Sequence, residues 1–510
     1  MPPQEFEITL AAPSRTLAAI ARAPVLSELV HSAAHRRALE TTYWDTPALD
    51  LRRCGITLRM RKTDDGWLQS LKTRTDEPFL RHEIEGAATT ERPDVAAAAR
   101  AAQSVGVLWP AVAQELVPLF TSRISRVTWD VEFPDGTRAE LAADTGTLTA
   151  TASPEAKLDV SEIELELKHG ELKPLYELAF RLVHELPRAR LLFASKADRG
   201  YALASGETPR LRRAQSWSID PGWSSADLLA RAAAECLTQV HSNIEGVRSA
   251  DDPQYLHQMR IGVRRTRTLF QVTRAAHLGE VPPKLREEVK WIWDLLGVSR
   301  DWDVFAQTTW QRVASGAKAE QDAIAPFTRA VHAQRVARHA ALRRAIDGKR
   351  FQKTLLALGW FFAHISAPGA RGGVTKLSRR VLKRPDRRVR RAAAHLGRST
   401  DAERHRLRIE AKKLRYLAEF FASLHDKRAA RHYLQSLATL QDALGDLNDV
   451  AVTQVIAKDA MARLTPSQRR IVQALIDGYV ASSSAFLQER LDSAWKAFQR
   501  ADPFWRKRRK

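Results

Sequence analysis

The spacing of apolar residues changes once along this 510-residue chain, and that change restricts the folds open to it. Between residues 5 and 168, several stretches alternate strictly between charged and apolar side chains, the repeat of a strand with one buried face. The clearest is Glu162-Ile-Glu164-Leu-Glu166-Leu-Lys168, with four charges on one face and Ile163, Leu165 and Leu167 on the other. Beyond about residue 225 the alternation stops, and apolar residues recur every three or four positions, as amphipathic helices require. The expected fold class is α+β multidomain: a sheet first, helices afterwards. The length agrees, being too great for a single core.

In the strand-rich part the charged positions form a set. Glu5-Phe-Glu7-Ile-Thr9 opens it, and Arg59-Met-Arg61 turns through Thr63-Asp-Asp-Gly66 into a return strand carrying Lys72. Arg81, Glu83 and Glu85 alternate in the same way, followed by Arg123 and, after the turn at Pro134-Asp-Gly136, by Glu140 and Asp144. Helical patterns interrupt at 94–104 and 172–186. Many strands with acids and bases at matched inward positions suit a closed barrel with a charged lumen and helices outside. Carboxylates hold hard divalent cations through oxygen while Arg and Lys neutralise phosphate, so such a lumen fits a metal-bound oligophosphate.

The run Tyr43-Trp-Asp45-Thr-Pro47, Leu51-Arg-Arg53, Leu58-Arg59-Met-Arg61, Leu71-Lys72, Arg81-His-Glu83-Ile-Glu85, Glu162–Lys168 and Ser195-Lys196-Ala-Asp-Arg199-Gly-Tyr201 resembles the CYTH, or triphosphate tunnel metalloenzyme, superfamily. The resemblance implies an eight-stranded antiparallel tunnel that hydrolyses phosphoanhydride bonds of triphosphate with Mg²⁺ or Mn²⁺. By position it implies metal-side acids at Glu5, Glu7, Glu140, Asp144, Glu162, Glu164 and Glu166. Phosphate clamps would be Arg59, Arg61, Lys72, Arg81, Arg123 and Lys196, with Glu5, Glu7, Lys72 and Glu164 closest to catalysis. Two departures stand out. Thr9 occupies the Lys position of the family's Glu-x-Glu-x-Lys opening, and Thr121-Ser-Arg123-Ile-Ser125 is poorer in Arg than the matching strand of related two-domain members. Each lost cation removes stabilisation of charge on a transferring phosphoryl group.

Charge separates the two parts. Residues 1–205 hold 25 Lys+Arg against 29 Asp+Glu, and residues 206–510 hold 56 against 30. The basic part also repeats itself. His257-Gln-Met-Arg260-Ile-Gly-Val-Arg264-Arg265-Thr-Arg267 returns 148 residues later as His405-Arg-Leu-Arg408-Ile-Glu-Ala-Lys412-Lys413-Leu-Arg415, and Gly297 returns as Gly445 at the same offset. Two blocks sharing one offset indicate a tandem duplication. Lys376, Arg379, Arg380 and Lys383 form a further basic stripe, as do Arg335, Arg338, Arg343 and Arg350. Like charges a turn apart repel, so a polyanion is the expected ligand. Binders of single-stranded nucleic acid interleave aromatics with cations, whereas Trp291, Trp293, Trp302, Trp360, Phe361 and Phe362 read as core. An all-phosphate ligand fits better.

Asp251-Asp-Pro253 with Leu256–Arg265, Leu296-Gly297 with Arg300–Asp303, Leu407–Tyr416 and Leu440–Asp449 resemble a CHAD domain. That resemblance implies two pseudo-symmetric four-helix bundles binding inorganic polyphosphate, with contacts at His257, Arg260, Arg264, Arg265, Arg267, His405, Arg408, Lys412, Lys413 and Arg415, joined by Arg379, Arg380 and Lys383. The expected domains are 1–205, a linker at 206–225, and 226–510 with repeat halves of about 226–365 and 374–510. The expected function is polyphosphate binding with a metal-dependent triphosphatase tunnel. A non-catalytic scaffold on polyphosphate granules is the alternative, and a nucleic-acid binder the third reading. Cys54 and Cys236 offer no disulfide framework or thiolate metal site, and no membrane span or leader is evident, so a cytoplasmic location, on granules or free, is expected.

Overall fold

A computed structural model describes residues 4–506 apart from 31–32, 65, 75–79, 112–114, 216–217, 318–319, 366–372, 395 and 397–398. Eight strands form the N-terminal part: β1 Gln4–Ala11, β2 His35–Asp45, β3 Ile56–Thr63, β4 Gly66–Arg74, β5 Leu80–Ala88, β6 Val117–Glu132, β7 Arg138–Ala150 and β8 Lys157–His169. They pair antiparallel in the order β5-β4-β3-β2-β6-β7-β8-β1, and β1 returns to β5, closing a barrel. A two-residue strand, β9 Arg190–Leu191, extends β1. Period-two patterning then sorts side chains in and out. On β3, Ile56, Leu58 and Met60 are fully buried against Ala98 and Ala102 of the helix Val95–Ser104, whereas Arg59 and Arg61 point the other way. Burying each such aliphatic side chain contributes about 1.5–3 kcal/mol, which fixes the register and leaves the charges facing the lumen.

Where the interior is not charged it is plugged. Ile124, Leu148 and Val160 lie on the lumen face and pack with Leu39 and with Leu203 of the helix Lys196–Ser205. That helix is started by a capping box between Ser195 and Asp198. It sits tightly against β6 because Gly200 has no side chain: a Cβ there would lie 2.0 Å from the Phe120 ring.

The helical region repeats four long helices. Ser225–Ser249, Pro253–Ala276, Pro283–Val304 and Gln321–Ile346 are followed by Val374–Ala393, Asp401–Phe421, Lys427–Ala460 and Pro466–Arg500. The second helix of each set begins 148 residues from its counterpart, the offset of the sequence repeat. The helix Val374–Ala393 runs through Pro385, a residue that ordinarily ends a helix. Val389 and Ala393 continue its buried stripe, and buried Asp386 accepts hydrogen bonds from Tyr433 (2.8 Å) and Arg390 (2.9 Å), so packing overrides the break.

The chain divides into two compact units, residues 1–213, 234–259 and 345–364, and residues 214–233, 260–344 and 365–510. Within the first, the helix Lys349–Ala363 packs on the helix Leu172–Glu185, with Gly359 against Tyr176, and Gln352 accepts a 2.8 Å hydrogen bond from the Leu191 amide. No helix among the described residues is long and apolar enough to cross a membrane.

Candidate functional site

The barrel lumen gathers acids and bases from eight elements, seven strands and the helix Lys196–Ser205. On one wall, β7 and β8 set Asp144, Glu162 and Glu164 side by side: Asp144 pairs in register with Glu162, and Thr9 with Glu164. One oxygen from each of these three carboxylates lies within 4.8 Å of the others, a donor set suited to a hard divalent cation. Lys196, from the first turn of its helix, places its ammonium among them, 2.8 Å from Asp144 and 2.5 Å from Glu164, and also pairs with Glu162. Arg126 grips Asp144 through Nε at 2.8 Å and through a terminal nitrogen at 2.6 Å, and reaches Glu164 as well. Arg199 completes the group on Glu162. Burial works against the Glu164 charge, but Lys196 and Arg126 outweigh it and hold the carboxyl well below its ordinary range.

The opposite wall comes from β1, β3, β4 and β5. Lys72 bridges Glu5 (2.7 Å) and Glu83 (2.9 Å), and Arg59 bonds Glu83 at 2.6 Å. Burial pushes the Glu5 carboxyl up to about 7, against the pull of Lys72. Arg61 contacts Thr41 at 3.3 Å and has no carboxylate partner among the described residues. The neighbouring Arg59 charge, with burial, lowers its guanidinium to about 10. Arg81 stands opposite Glu5 in register, Glu140 opposite Glu166, and Glu166 pairs with Lys168 at 2.6 Å. Glu7 accepts a 2.7 Å hydrogen bond from Thr9.

One assignment changes place. Arg123, expected in the lumen, lies on the outer face of β6 with its side chain 66% exposed and paired to Glu40. The inward residues of that strand are Ser122, Ile124 and Arg126, as their pairing with Leu148, Gly146 and Asp144 requires. Arg126 and Arg199 are lumen cations that the sequence reading missed. The expected run Thr121–Ser125 was read with the wrong parity.

In the helical region a second cluster forms. Arg260, Arg264, Arg408 and Lys412 act on one another electrostatically. Burial lowers Arg264 to about 10 and, with Arg408, Arg264 and Arg260 adding to it, Lys412 to about 7. Nε of Arg264, Nε of Arg408 and a terminal nitrogen of Arg260 are buried without a hydrogen-bond partner. Among the described residues, Arg408 has the Asp449 carboxylate at 3.9 Å. Lys413 and Arg415 differ, since Glu410 (2.6 Å) and Glu419 (2.7 Å) already hold them. His405 faces Asn448 at 3.0 Å, and His257 and Arg265 are half-buried on Pro253–Ala276. Arg380 approaches His277 at 3.3 Å; no described contact joins Arg379, Arg380 or Lys383 to the four.

The aromatic residues do not all belong to the core. Trp302, Phe361 and Phe362 are buried, but Trp293 is half-buried and lies under the guanidinium groups of Arg260 (4.1 Å) and Arg267 (5.4 Å). Tyr416 lies under Arg264 at 3.8 Å. Rings and cations therefore interleave, through cation–π stacking that periodicity does not reveal.

Gly297 explains how Arg260 fits. A Cβ at that position would come within 2.5 Å of the Arg260 guanidinium, the far end of a flexible side chain. Gly297→Ala is therefore expected to displace Arg260 and weaken polyanion binding several-fold with little change in melting temperature. Equilibrium titration and thermal unfolding of the same variant check this.

A CYTH domain model matches residues 4–201 and a CHAD domain model residues 231–458. An uncharacterized protein of Mycobacterium tuberculosis is 26% identical over 490 residues, spanning 91% of this chain and 90% of that protein. A stretch of 93 residues is 39% identical to the inorganic triphosphatase of Haemophilus influenzae, covering 18% of this chain and 24% of that protein. The crystal structure of the CHAD domain from the plant Ricinus communis matches with a TM-score of 0.52 at 27% identity, over 58% of this chain and 98% of that one. The chain thus carries a CYTH domain at residues 4–201 followed by a CHAD domain at residues 231–458.

Proposed function

We propose that the barrel hydrolyses triphosphate and short polyphosphate with a divalent metal, and that the helical domain holds inorganic polyphosphate. The observation carrying the first half is the division of the lumen into an acidic wall, Asp144, Glu162 and Glu164, and a wall where Arg59, Arg61 and Lys72 face inward. Asp144, Glu162 and Glu164 would hold Mg²⁺ or Mn²⁺, which when bound neutralises phosphate oxygens. Arg61, with no carboxylate partner among the described residues, is placed to take a phosphate oxygen, and Arg59 and Lys72 flank it. Glu5, whose carboxyl is pushed up to about 7, is poised to accept a proton at its carboxylate from a water attacking the terminal phosphorus, as the bridging P–O bond breaks and diphosphate leaves. The second half rests on buried guanidinium nitrogens without partners in the Arg260–Lys412 cluster. A partner consisting of phosphate alone satisfies them, and granule association of the protein would follow.

Release of phosphate from triphosphate by the full chain tests this: it is expected with Mg²⁺ or Mn²⁺ and lost with a chelator. A second reading, a binding scaffold without turnover, is favoured by the Lys196 ammonium lying among the three acids and by Thr9 beside Glu164. Phosphate release by the wild type separates the two, and Thr9→Lys adds a check: a hydrolysing barrel gains phosphate release, whereas a scaffold stays silent and only binds triphosphate more tightly.

A further inference from the structure

A short segment that follows the strands of the barrel is joined to both sides of its acidic wall. Arg190 and Leu191 pair with Ala11 and Leu10 of β1, and the Leu192 amide donates a 2.8 Å hydrogen bond to the carbonyl of Thr9, which stands opposite Glu164. Three residues further on, Ser195 starts the helix whose Lys196 and Arg199 contact the acids. The same segment is held by residues far along the chain. The Leu191 amide donates to Gln352 at 2.8 Å, and Gln352, 2% exposed, donates in turn to the Ile346 carbonyl at 2.6 Å. Phe193 stacks on buried His241, with ring centroids 3.6 Å apart and planes 14° from parallel. A second contact reaches β1 directly: Gly359 lets its helix lie against Tyr176, whose ring meets Phe6, between Glu5 and Glu7, edge-on at 5.9 Å. All these residues belong to the first compact unit, although His241, Gln352 and Gly359 fall within the CHAD match at residues 231–458.

We infer that residues of the CHAD domain complete the triphosphate site of the barrel: Gln352 and His241 are positioning residues that fix Arg190–Phe193 and, through it, Lys196, Arg199 and β1. This rests on the reading that the barrel takes triphosphate and does not depend on turnover. A pairing of two residues is too short to hold its own place. Without Gln352 the Leu191 amide is left buried and unpaired, and the segment shifts to regain a partner. A shift of about 1 Å at Lys196 is enough to spoil a charge-assisted contact with phosphate. The two sequence matches are separate, but for this ligand the barrel and the helices around Gln352 and His241 act as one body.

Binding of imidotriphosphate, in which nitrogen replaces the bridging oxygens and blocks hydrolysis, is measured by calorimetry with Mg²⁺ on the full chain, beside binding of long-chain polyphosphate. Gln352→Met keeps the length of the side chain and removes both hydrogen bonds. It is expected to weaken imidotriphosphate binding about tenfold, the loss of one hydrogen bond to a charged group, while long-chain polyphosphate binds as in the wild type. Partial unfolding would lower the number of sites and leave the affinity of those that remain, so affinity separates positioning from stability. If Gln352→Met binds neither ligand, Gly359→Ala decides in the same way, since a Cβ there would lie 2.8 Å from the Tyr176 ring that touches Phe6. Wild-type affinity in the deciding variant overturns the inference and spares the barrel reading. No imidotriphosphate binding by the wild type overturns both.

Discussion

Glu164→Gln is expected to lower metal-dependent phosphate release from triphosphate by on the order of 10²–10³-fold, the usual effect of removing one preorganised charged group from a site. Glutamine keeps the size of the side chain and removes its charge. The remaining Asp144 and Glu162 then face Lys196 and Arg126 with one carboxylate fewer, so a divalent cation competes poorly for the position. Stability changes too. A carboxyl held below its ordinary range contributes stability above about pH 4.5, lost as pH falls through the folded-state value. The variant lacks that contribution at neutral pH and should melt lower while remaining folded. Metal binding by calorimetry, run beside phosphate release, separates lost chemistry from lost fold; full activity in a folded variant contradicts the role.

Lys412→Met is expected to do the reverse for stability. With its ammonium pushed down from 10.5 to about 7 by burial and then by Arg408, Arg264 and Arg260, Lys412 is costly to keep charged. That cost grows as pH falls from the unfolded value near 10.5 toward 7 and is complete below it. Methionine removes the charge and keeps the stem, so the variant should melt higher at pH 7 and below. Polyphosphate affinity should fall about ten- to hundredfold, the loss of a hydrogen bond to a charged group at roughly 1.5–3 kcal/mol. A bound phosphate favours the charged ammonium, so wild-type binding should take up a proton near neutral pH and weaken as pH rises above about 7. Calorimetry in two buffers of different ionisation enthalpy measures that proton, and its absence in Lys412→Met completes the test. A variant that is both less stable and equally tight in binding refutes the argument.

Much of the fold was legible because each half is written in a single period. Strict alternation in Glu162–Lys168 identifies a strand with one charged face, and the 148-residue offset pairs the helix Pro253–Ala276 with Asp401–Phe421. Parity was legible only where the opposite face was apolar. On β6 the residues Ser122 and Ser125, Arg123 and Arg126 put polar groups on both faces, so nothing local says which side is inward; the pairing of Arg126 with Asp144 on β7 decides it. Arg199 was hidden for another reason. It belongs to a helix whose arrival at the lumen depends on the Gly200 approach to Phe120, a tertiary contact. The stacking of Trp293 and Tyr416 under guanidinium groups is likewise invisible to helical periodicity, since a residue beside a buried stripe reads as core whether its neighbour is leucine or arginine. Pro385 does not stop its helix, because its local cost is offset by the Asp386–Tyr433 bond across the bundle and the Asp386–Arg390 bond within the helix.

The most direct test of the central claim, that guanidinium and ammonium groups are buried here to receive chains of phosphate, is competition at an ionic strength of about 0.15 M, where charges exposed to solvent are largely screened beyond about 8 Å. Labelled RNA is bound to the full chain and titrated with long-chain polyphosphate, both counted as phosphate. Displacement of the RNA at well below equivalence is the predicted result; RNA that stays bound through a large excess of polyphosphate contradicts the account.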